Sequence, residues 1–420
     1  MKIAVIGAGI VGITTAYELA ADGHEVTVFE RRSAAADETS FANAGVVAPG
    51  SVTPWAAPGM PRKVLGNLLS RHAAVRLSLP LSGTDLAWMW KWWRACRIDT
   101  YLANRARLQR LAFYSRERLH HLTAKLQLEY DRADGYTVLL RSEKDSRMVQ
   151  PGLQVLRDLG VAFSEINADA VRKIEPAINP DTEFLGGIHL PNDEVANCRQ
   201  FALLLKDTAR SMGVNFCFNT TVAQLEQTQP ASLLIAGDSG PRQFDHVVMC
   251  AGLAAAKLLR PLGLKVPMTA VYGYSISAPI REAINAPRSA LMDERYKVAI
   301  SRLGNRVRVA GSAEIGGSLG KHRASSIQTL YKVLHDWFPG AAQHANTGAK
   351  VQAWKGARPM LPDGPPMIGA SGIPRLWLNI GHGSSGWALS CGSARALADL
   401  VAGKAADIDM SGLGVERLAR

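Results

Sequence analysis

Residues 2–30 of this chain are KIAVIGAGIVGITTAYELAADGHEVTVFE. The apolar, β-branched run Lys2–Ile6 predicts a buried parallel strand. A glycine-rich turn at residues 7–12 follows directly and leads into an amphipathic helix that we expect to end near Gly23. Glu25–Glu30 alternates apolar and polar residues, as a second strand does. Strand, turn, helix and strand within about 30 residues are typical of a βαβ unit.

The glycine-rich turn has the spacing GxGxxG, which in this context indicates a dinucleotide site. Gly7 permits the tight turn, Gly9 lets the backbone approach a pyrophosphate, and Gly12 lets helix and strand pack closely. The start of the helix offers free N–H groups to phosphate. Glu30 ends the second strand and is expected to accept hydrogen bonds from ribose hydroxyls. The residues predicted to bind a cofactor here are Gly7, Gly9, Ile10, Val11, Gly12, Glu30 and Arg31.

Composition limits the remaining possibilities. A length of 420 residues suggests two or three domains, and 47% hydrophobic with 20% charged residues excludes a wholly disordered chain. The five cysteines are scattered, so neither a disulfide framework nor a CxxC site is expected, and no metal site is predicted. No apolar run approaches the roughly 20 residues of a membrane span, and the start does not resemble a signal peptide. We therefore expect a reducing, cytoplasmic location.

Positive charge is concentrated in one part of the chain. Residues 61–125 contain thirteen Lys and Arg against three Asp and Glu, within a formal net charge of +12. Four of the nine tryptophans lie in the same segment, within Trp88–Arg94. A packed helical hairpin with a solvated arginine face explains this pattern, and so does docking on the anionic inner face of the cell membrane. Binding to nucleic acid is the least favoured of these three interpretations and is not predicted.

Strands of the dinucleotide-binding type recur in the middle and at the end of the chain. They are His246–Cys250, which opens into Ala251–Gly252, and Trp377–Ile380, which leads into a glycine-rich turn at residues 381–386. This order predicts an α/β protein with a discontinuous Rossmann-like domain of the glutathione-reductase type and an α+β substrate domain with an antiparallel sheet. The first domain is predicted at 1–52, 150–262 and 353–420, and the second at 53–149 and 263–352.

Short motifs that are specific in combination run along nearly the whole chain. They are Glu38–Gly45 (ETSFANAG), Pro54–Gly59 (PWAAPG), Leu190–Glu194 (LPNDE), Gly273–Ser275 (GYS), Tyr296–Ile300 (YKVAI), Gly356–Met360 (GARPM) with Pro362–Gly364 (PDG), and Gly381–Gly383 (GHG) with Gly386–Trp387 (GW). With these motifs the chain resembles the FAD-dependent D-amino acid oxidase superfamily, and within it the bacterial D-amino acid dehydrogenases (small subunit).

The resemblance implies a flavoenzyme with non-covalent FAD that oxidises a D-amino acid. The substrate's α-carbon passes a hydride to flavin N5, and the imine product hydrolyses to a 2-oxo acid and ammonia. Electrons then pass to a membrane quinone or another acceptor. The sequence leaves the amino-acid side chain, the acceptor, oxygen reactivity and the oligomeric state open.

The resemblance also implies roles for individual residues. Arg358 matches the superfamily's Gly-x-Arg-Pro position, where a guanidinium binds the substrate carboxylate through two oxygens. Tyr274 is a candidate hydroxyl partner at that site, and His382 is a candidate contact for flavin or substrate. Further predicted cofactor contacts are Ser40, Asn43, Ala44, Gly45, Val222, Ala251, Gly252, Gly381, Gly383, Ser384 and Ser385.

Two positions depart from the pattern of the D-amino acid dehydrogenases. Ser51 stands where a Tyr is frequent, and Ala270–Tyr272 stands where a Pro and a basic residue are usual. Tyr272 in place of a cation makes an acidic substrate side chain less favourable. A secondary or cyclic substrate (D-proline, D-hydroxyproline, glycine or sarcosine) therefore remains an alternative. A flavin-binding docking subunit without enzymatic activity is a second one.

Overall fold

The computed structural model describes residues 1–66, 72–226, 231–342 and 351–419. The strands in these residues, in chain order, are β1 (Lys2–Ile6), β2 (Glu25–Phe29), β3 (Val46–Val47), β4 (Val75–Leu77), β5 (Arg132–Leu140), β6 (Ser164–Asn167), β7 (Gly186–Ala196), β8 (Asn215–Cys217), β9 (Val222–Glu226), β10 (Ala231–Ile235), β11 (Arg242–Phe244), β12 (His246–Met249), β13 (Thr269–Pro279), β14 (Ala290–Asp293), β15 (Val298–Leu303), β16 (Arg306–Ile315), β17 (Gln352–Met360), β18 (Met367–Ala370) and β19 (Leu376–Ile380).

The helices lie between these strands and after the last one. They are α1 (Ile10–Ala21), α2 (Met60–Gly66), α3 (Gly83–Ala95), α4 (Ile98–Lys125), α5 (Glu143–Asp158), α6 (Ala168–Ile174), α7 (Cys198–Ser211), α8 (Ala254–Leu259), α9 (Ala324–Trp337) and α10 (Gly386–Val401).

The first sheet has the order β18-β19-β12-β1-β2-β8 and is parallel except for the β18–β19 pair. β1 is central, so Val5 pairs with Val28 on one side and Val248 on the other, and Val5 is fully buried. α1 packs against α7 and α10 over this sheet. A short antiparallel meander, β11-β10-β9, completes this part of the fold.

The second sheet follows the order β17-β13-β16-β15-β14-β5-β7-β3, with β4 paired to β16 and β6 to β7. Most of its pairs are antiparallel, while β14–β5 and β4–β16 are parallel. α9 packs on one face, where Trp337 and Phe338 join a core with Ile276 and Val309. The two sheets confirm the predicted fold class of a Rossmann-like unit combined with an antiparallel sheet.

The sheets do not follow the predicted domain boundaries everywhere. β6 and β7 fall within 150–262, β3 falls within 1–52, and β17 falls within 353–420 except for its first residue, but all four strands pair in the second sheet. The sheet that a strand joins depends on its pairing partner, which can lie far away in the chain. Local sequence patterns therefore did not reveal to which sheet these strands belong. The division of the chain into two domains otherwise stays a prediction.

A buried carboxylate ties three helices of the first unit together. Glu18 on α1 is fully buried, and its oxygens accept hydrogen bonds of 2.7 Å from both Nε and Nη2 of Arg118 on α4. Arg395 on α10 donates to the same carboxylate at 3.0 Å. A buried charge requires such partners, so this network fixes α4 and α10 against the helix that follows the glycine-rich turn.

Candidate functional site

A cavity of about 790 Å³ runs from the end of β1 to β17. Its size lies in the usual range for ligand pockets of roughly 300–1,000 Å³. His382 lines the cavity. Among the predicted cofactor residues, those that line it are Gly7, Gly9, Ile10, Val11, Glu30, Arg31, Ser40, Val222, Ala251, Gly252, Gly381 and Gly383.

The glycine-rich turn presents backbone donors to this cavity. Gly7 has a φ of 103°, and a Cβ on Gly12 would lie 1.9 Å from the Gly7 carbonyl oxygen, so both positions need glycine. Gly9 is the N-cap of α1 and has no side chain with which to cap that helix. The Ile10 N–H donates to Ser40 Oγ at 3.0 Å. The other N–H groups of the first turn are available to an anionic ligand.

Glu30 is held by backbone donors at the edge of the same cavity. Its oxygens accept from the N–H groups of Ala8 and Arg32, both at 2.8 Å. Arg31 makes two hydrogen bonds to Glu38, at 2.9 and 2.7 Å. The Glu30 carboxylate is therefore oriented towards the cavity with acceptor capacity remaining for ribose hydroxyls.

Six predicted cofactor residues do not line the cavity: Gly12, Asn43, Ala44, Gly45, Ser384 and Ser385. Residues 43–45 are instead tied to the second sheet. The Ala44 carbonyl accepts from Ser301 Oγ at 2.7 Å, and the Gly45 carbonyl accepts from the Ala196 N–H at 2.8 Å. Ser384 and Ser385 form the 3-10 turn that precedes α10. Their cofactor roles stay predictions.

These residues fit FAD. The cavity offers the N–H groups of a helix start for a pyrophosphate, a carboxylate for a ribose, and an extension to β17 beyond what an adenosine diphosphate needs. Among the described residues, no three His, Cys, Asp or Glu are grouped as metal ligands would be.

Arg358 lies on β17 and does not itself line the cavity, although its chain neighbours Gly356, Ala357 and Pro359 do. Its Nη1 donates to the Ser312 carbonyl at 3.0 Å. The guanidinium packs over Gly273 on β13, where a Cβ would lie 2.4 Å from Nη2. Burial lowers the pKa of Arg358 to about 10, and no carboxylate forms an ion pair with it among the described residues. A half-buried arginine of this kind is suited to a ligand carboxylate.

The structure places Tyr274 away from Arg358. In the β13–β17 ladder, Arg358 is opposite Val271 and Tyr274 is opposite Lys355, so the two side chains lie on opposite faces of the sheet. The Tyr274 hydroxyl donates to Glu314, and burial together with that carboxylate raises the pKa of Tyr274. Its predicted role at the carboxylate site has no support in this arrangement.

His382 lines the cavity and is 5% exposed. Its Nε2 lies 3.0 Å from Ser393 Oγ. Burial lowers the pKa of His382 to about 3, so the imidazole is neutral at physiological pH. A neutral ring with one nitrogen fixed by Ser393 can position a ligand through its other nitrogen.

Sequence reasoning missed a polar cluster on the Tyr274 face of the sheet. Glu314 is 4% exposed and accepts hydrogen bonds from Ser78, Tyr274 and Lys355. Burial alone would raise the pKa of Glu314, but these hydrogen bonds lower it. Lys355 also lies over the Tyr272 ring, 4.5 Å from its centroid. A cation therefore stands beside Tyr272, from a neighbouring strand, and Glu314 balances its charge.

Comparisons with known proteins identify the family and the fold of this chain. The family model described as FAD dependent oxidoreductase (DAO) matches residues 2–400. A D-amino acid dehydrogenase from Bradyrhizobium diazoefficiens is 40% identical, covering 100% of this chain and 99% of that protein. A D-amino acid dehydrogenase from Cereibacter sphaeroides is 41% identical, covering 100% and 96%.

Solved structures share the whole fold at low identity. Glycine oxidase from Geobacillus kaustophilus superposes with a TM-score of 0.75 at 19% identity, covering 98% of this chain and 97% of that one. L-proline dehydrogenase from P. horikoshii gives a TM-score of 0.71 at 17% identity, covering 100% and 98%. At these identities the likeness concerns the fold.

Proposed function

This chain belongs to the family of FAD-dependent oxidoreductases, and from that premise we propose that it is a D-amino acid dehydrogenase. It would oxidise a D-amino acid to an imine, which hydrolyses to a 2-oxo acid and ammonia. Its full-length relatives at about 40% identity bear that name. Within the structure, the observation that carries the proposal is Arg358, a half-buried cation beside the cavity with no carboxylate partner among the described residues.

The cavity and the arginine beside it have distinct tasks in this reaction. FAD, when bound, supplies a two-electron acceptor for the hydride of the substrate α-carbon. Arg358 binds the substrate carboxylate with two parallel hydrogen bonds, which fixes where the α-carbon lies. His382 is neutral and held by Ser393, so it orients a ligand without taking up a proton at neutral pH.

An anaerobic absorbance experiment tests the proposal. The FAD-loaded protein is mixed with D- and L-amino acids, glycine and proline derivatives, and the flavin band is followed. We expect D-amino acids to bleach it and Arg358→Ala to abolish bleaching while FAD stays bound. Arg281→Ala, which alters an exposed arginine beside Glu282, is the control. Bleaching by secondary amines alone would redirect the proposal to those substrates, and bleaching of Arg358→Ala at wild-type affinity would refute the role of Arg358.

We further propose that a quinone in an anionic membrane accepts the electrons, and that the corner of α3 and α4 docks there. Leu86, Trp90 and Trp93 follow one face of α3 and are 55%, 59% and 53% exposed. Trp88 and Trp92, on the opposite face, are buried. The exposed apolar face therefore does not serve the core and is suited to a lipid interface.

Cations accompany this apolar face. Lys91, Arg94 and Arg97 are exposed beside it, and each can contribute about 1 kcal/mol near an anionic leaflet. By contrast, arginines further along α4, such as Arg116 and Arg118, pair with carboxylates of the protein. In the described part of the chain, no helix is long and apolar enough to cross a bilayer. The proposal is therefore one of surface docking.

Vesicle flotation tests the docking. We expect the protein to float with phosphatidylglycerol-containing vesicles at low salt, less so at high salt. Trp90→Gln together with Trp93→Gln should weaken partitioning at least about ten-fold, because two interfacial indoles are lost. Ile284→Gln, which alters an 80% exposed side chain elsewhere, is the matched control. Equal flotation of the double variant and wild type would contradict the docking surface.

A further inference from the structure

Two large side chains of β17 share one face of the second sheet beside the cavity. Residues two apart on a strand point to the same side, so Trp354, Gly356 and Arg358 lie on one face. Of these three, Trp354 and Gly356 line the cavity and Arg358 does not. Because glycine has no side chain, the indole of Trp354 is the β17 side chain that both lines the cavity and shares the face of Arg358.

The indole and the guanidinium lie over two glycines that face each other. Gly273 on β13 is opposite Gly356 on β17. The Arg358 guanidinium occupies the space that a Cβ on Gly273 would need. The Trp354 ring occupies the space that a Cβ on Gly356 would need. Since the Cβ positions of directly opposed residues lie about 5 Å apart, the cation and the aromatic ring are neighbours.

The indole is the large apolar surface next to Arg358 on this side of the β13–β17 ladder. The residue opposite Trp354 is the small Ser275, and the next pair along the ladder on this face is Gly273 with Gly356. Trp354 is half-buried, so part of its ring is open to the cavity that it lines. A ligand carboxylate that approaches Arg358 from the cavity therefore passes alongside the indole.

Tyr272, whose sequence position suggested an influence on the substrate side chain, lies elsewhere. It is opposite Ala357 and so belongs to the other face of the sheet, where Lys355 lies over its ring. On the Arg358 face the neighbouring large group is a neutral indole. The face of an aromatic ring is electronegative, so it favours apolar and aromatic groups and disfavours a second carboxylate.

We propose that Trp354 is a specificity-determining residue: the substrate side chain packs on its indole while the substrate carboxylate binds Arg358. D-amino acids with a flat apolar side chain, such as D-phenylalanine, are then favoured over those with an acidic one. The inference rests on the proposed function for its substrate class. The contact with the indole can nevertheless be measured without turnover.

Binding of carboxylates without an amine tests the contact. Phenylacetate and acetate carry the same carboxylate, and calorimetric titration of the FAD-loaded protein compares them. We expect phenylacetate to bind wild type more tightly, and Trp354→Ala to weaken it at least about ten-fold but acetate less than about two-fold, because only phenylacetate places a ring on the indole. Tyr331→Ala, which removes a 45% exposed ring on α9, is the matched control.

Two results would overturn the contact. One is an equal loss of phenylacetate and acetate affinity in Trp354→Ala. The other is wild-type protein that binds phenylacetate no more tightly than acetate, and this comparison decides the matter even if the variant does not fold.

Rates of anaerobic flavin reduction test the preference itself. At equal subsaturating concentrations, we expect D-phenylalanine to reduce wild type at least about ten-fold faster than D-aspartate. Trp354→Ala should lower the rate with D-phenylalanine relative to D-alanine about five-fold or more, whereas Trp354→Phe, which keeps an aromatic ring, should lower it less than about two-fold.

The specificity role fails if wild type prefers D-aspartate, or if the ratio of D-phenylalanine to D-alanine stays constant or rises in Trp354→Ala. A rise would mean that the indole excludes large side chains instead of binding them. A wild-type protein that no D-amino acid bleaches would instead refute the proposed function, and phenylacetate binding would still decide the contact with Trp354.

Discussion

Two charged side chains on the strands that flank β13 in the second sheet have opposite surroundings. Glu314 on β16 is enclosed by donors from Ser78, Tyr274, Lys355 and Arg323. Arg358 on β17 donates to one carbonyl and has no carboxylate partner among the described residues. Interior charges are normally paired. The paired group is therefore explained by structure, whereas the unpaired guanidinium supports the proposal that a ligand supplies the opposite charge.

Replacing Arg358 by Lys tests whether the fork of the guanidinium matters. Lysine keeps the charge but offers a single point donor, so one of two charge-assisted hydrogen bonds to a carboxylate is lost. We expect kcat/KM for the best D-amino acid to fall about 100-fold, given roughly 1.5–3 kcal/mol for each such bond. FAD absorbance should be unchanged. A decrease below about three-fold would indicate that Arg358 does not contact the carboxylate.

His382 gives a pH dependence whose sign follows from its burial. The pKa of His382 is lowered to about 3 in the folded protein, against about 6.5 when unfolded. Between these values the unfolded chain binds the proton and the folded one does not, so stability is lost as the pH falls. At pH 5 the cost is about 2 kcal/mol. His382→Gln removes this cost.

The measurement is the free energy of urea unfolding of the FAD-loaded protein at pH 8 and pH 5. We expect the variant to lose about 2 kcal/mol less than wild type between these pH values. Other titrating groups contribute equally to both proteins and cancel in the difference. An equal loss in the two proteins would show that His382 titrates normally in the folded state.

Elements differ in how well their sequence predicts them. β1 and β19 were predicted from local patterns at almost the observed bounds, Lys2–Ile6 and Leu376–Ile380, and the helix after the glycine-rich turn was also found. Contiguous apolar runs and glycine turns encode such elements within a few residues. β7 was not predicted from the sequence, because it pairs with β5, whose residues lie about fifty positions earlier in the chain. The ion pair of Lys355 was not predicted for the same reason, since its partner Glu314 lies on another strand.

The packing of α1, α4 and α10 depends on the Glu18 carboxylate. Glu18→Gln keeps the volume but removes the charge that Arg118 and Arg395 share, so two half-buried guanidinium groups lose their common counter-charge. We expect the free energy of unfolding to fall by about 2–4 kcal/mol. Glu25→Gln is the control. Its carboxylate is exposed and lies 3.8 Å from Lys2, so a change within about 0.5 kcal/mol is expected. Equal effects of the two variants would contradict the network's structural role.

At the scale of the whole molecule, the cavity joins the two sheets. Its walls come from the glycine-rich turn and Glu30 on one side and from β17 with Leu319 and Gly320 on the other. A ligand that fills it stabilises both units, and binding at 100-fold excess over Kd adds about 2.7 kcal/mol. ADP resembles only the part of FAD that the glycine-rich turn and Glu30 can hold.

Hydrogen exchange of the apoprotein with either ligand therefore distinguishes the two walls. We expect ADP to slow exchange at residues 7–12 and 30–32, and FAD to slow it there and also at residues 354–357 and 381–383, which line the far part of the cavity. Protection of β17 by FAD but not ADP would mean that the isoalloxazine end lies beside Arg358, where a bound amino acid must be. If FAD protected only the residues that ADP protects, the cavity's extension to β17 would have another occupant, and Arg358 could not serve the flavin reaction.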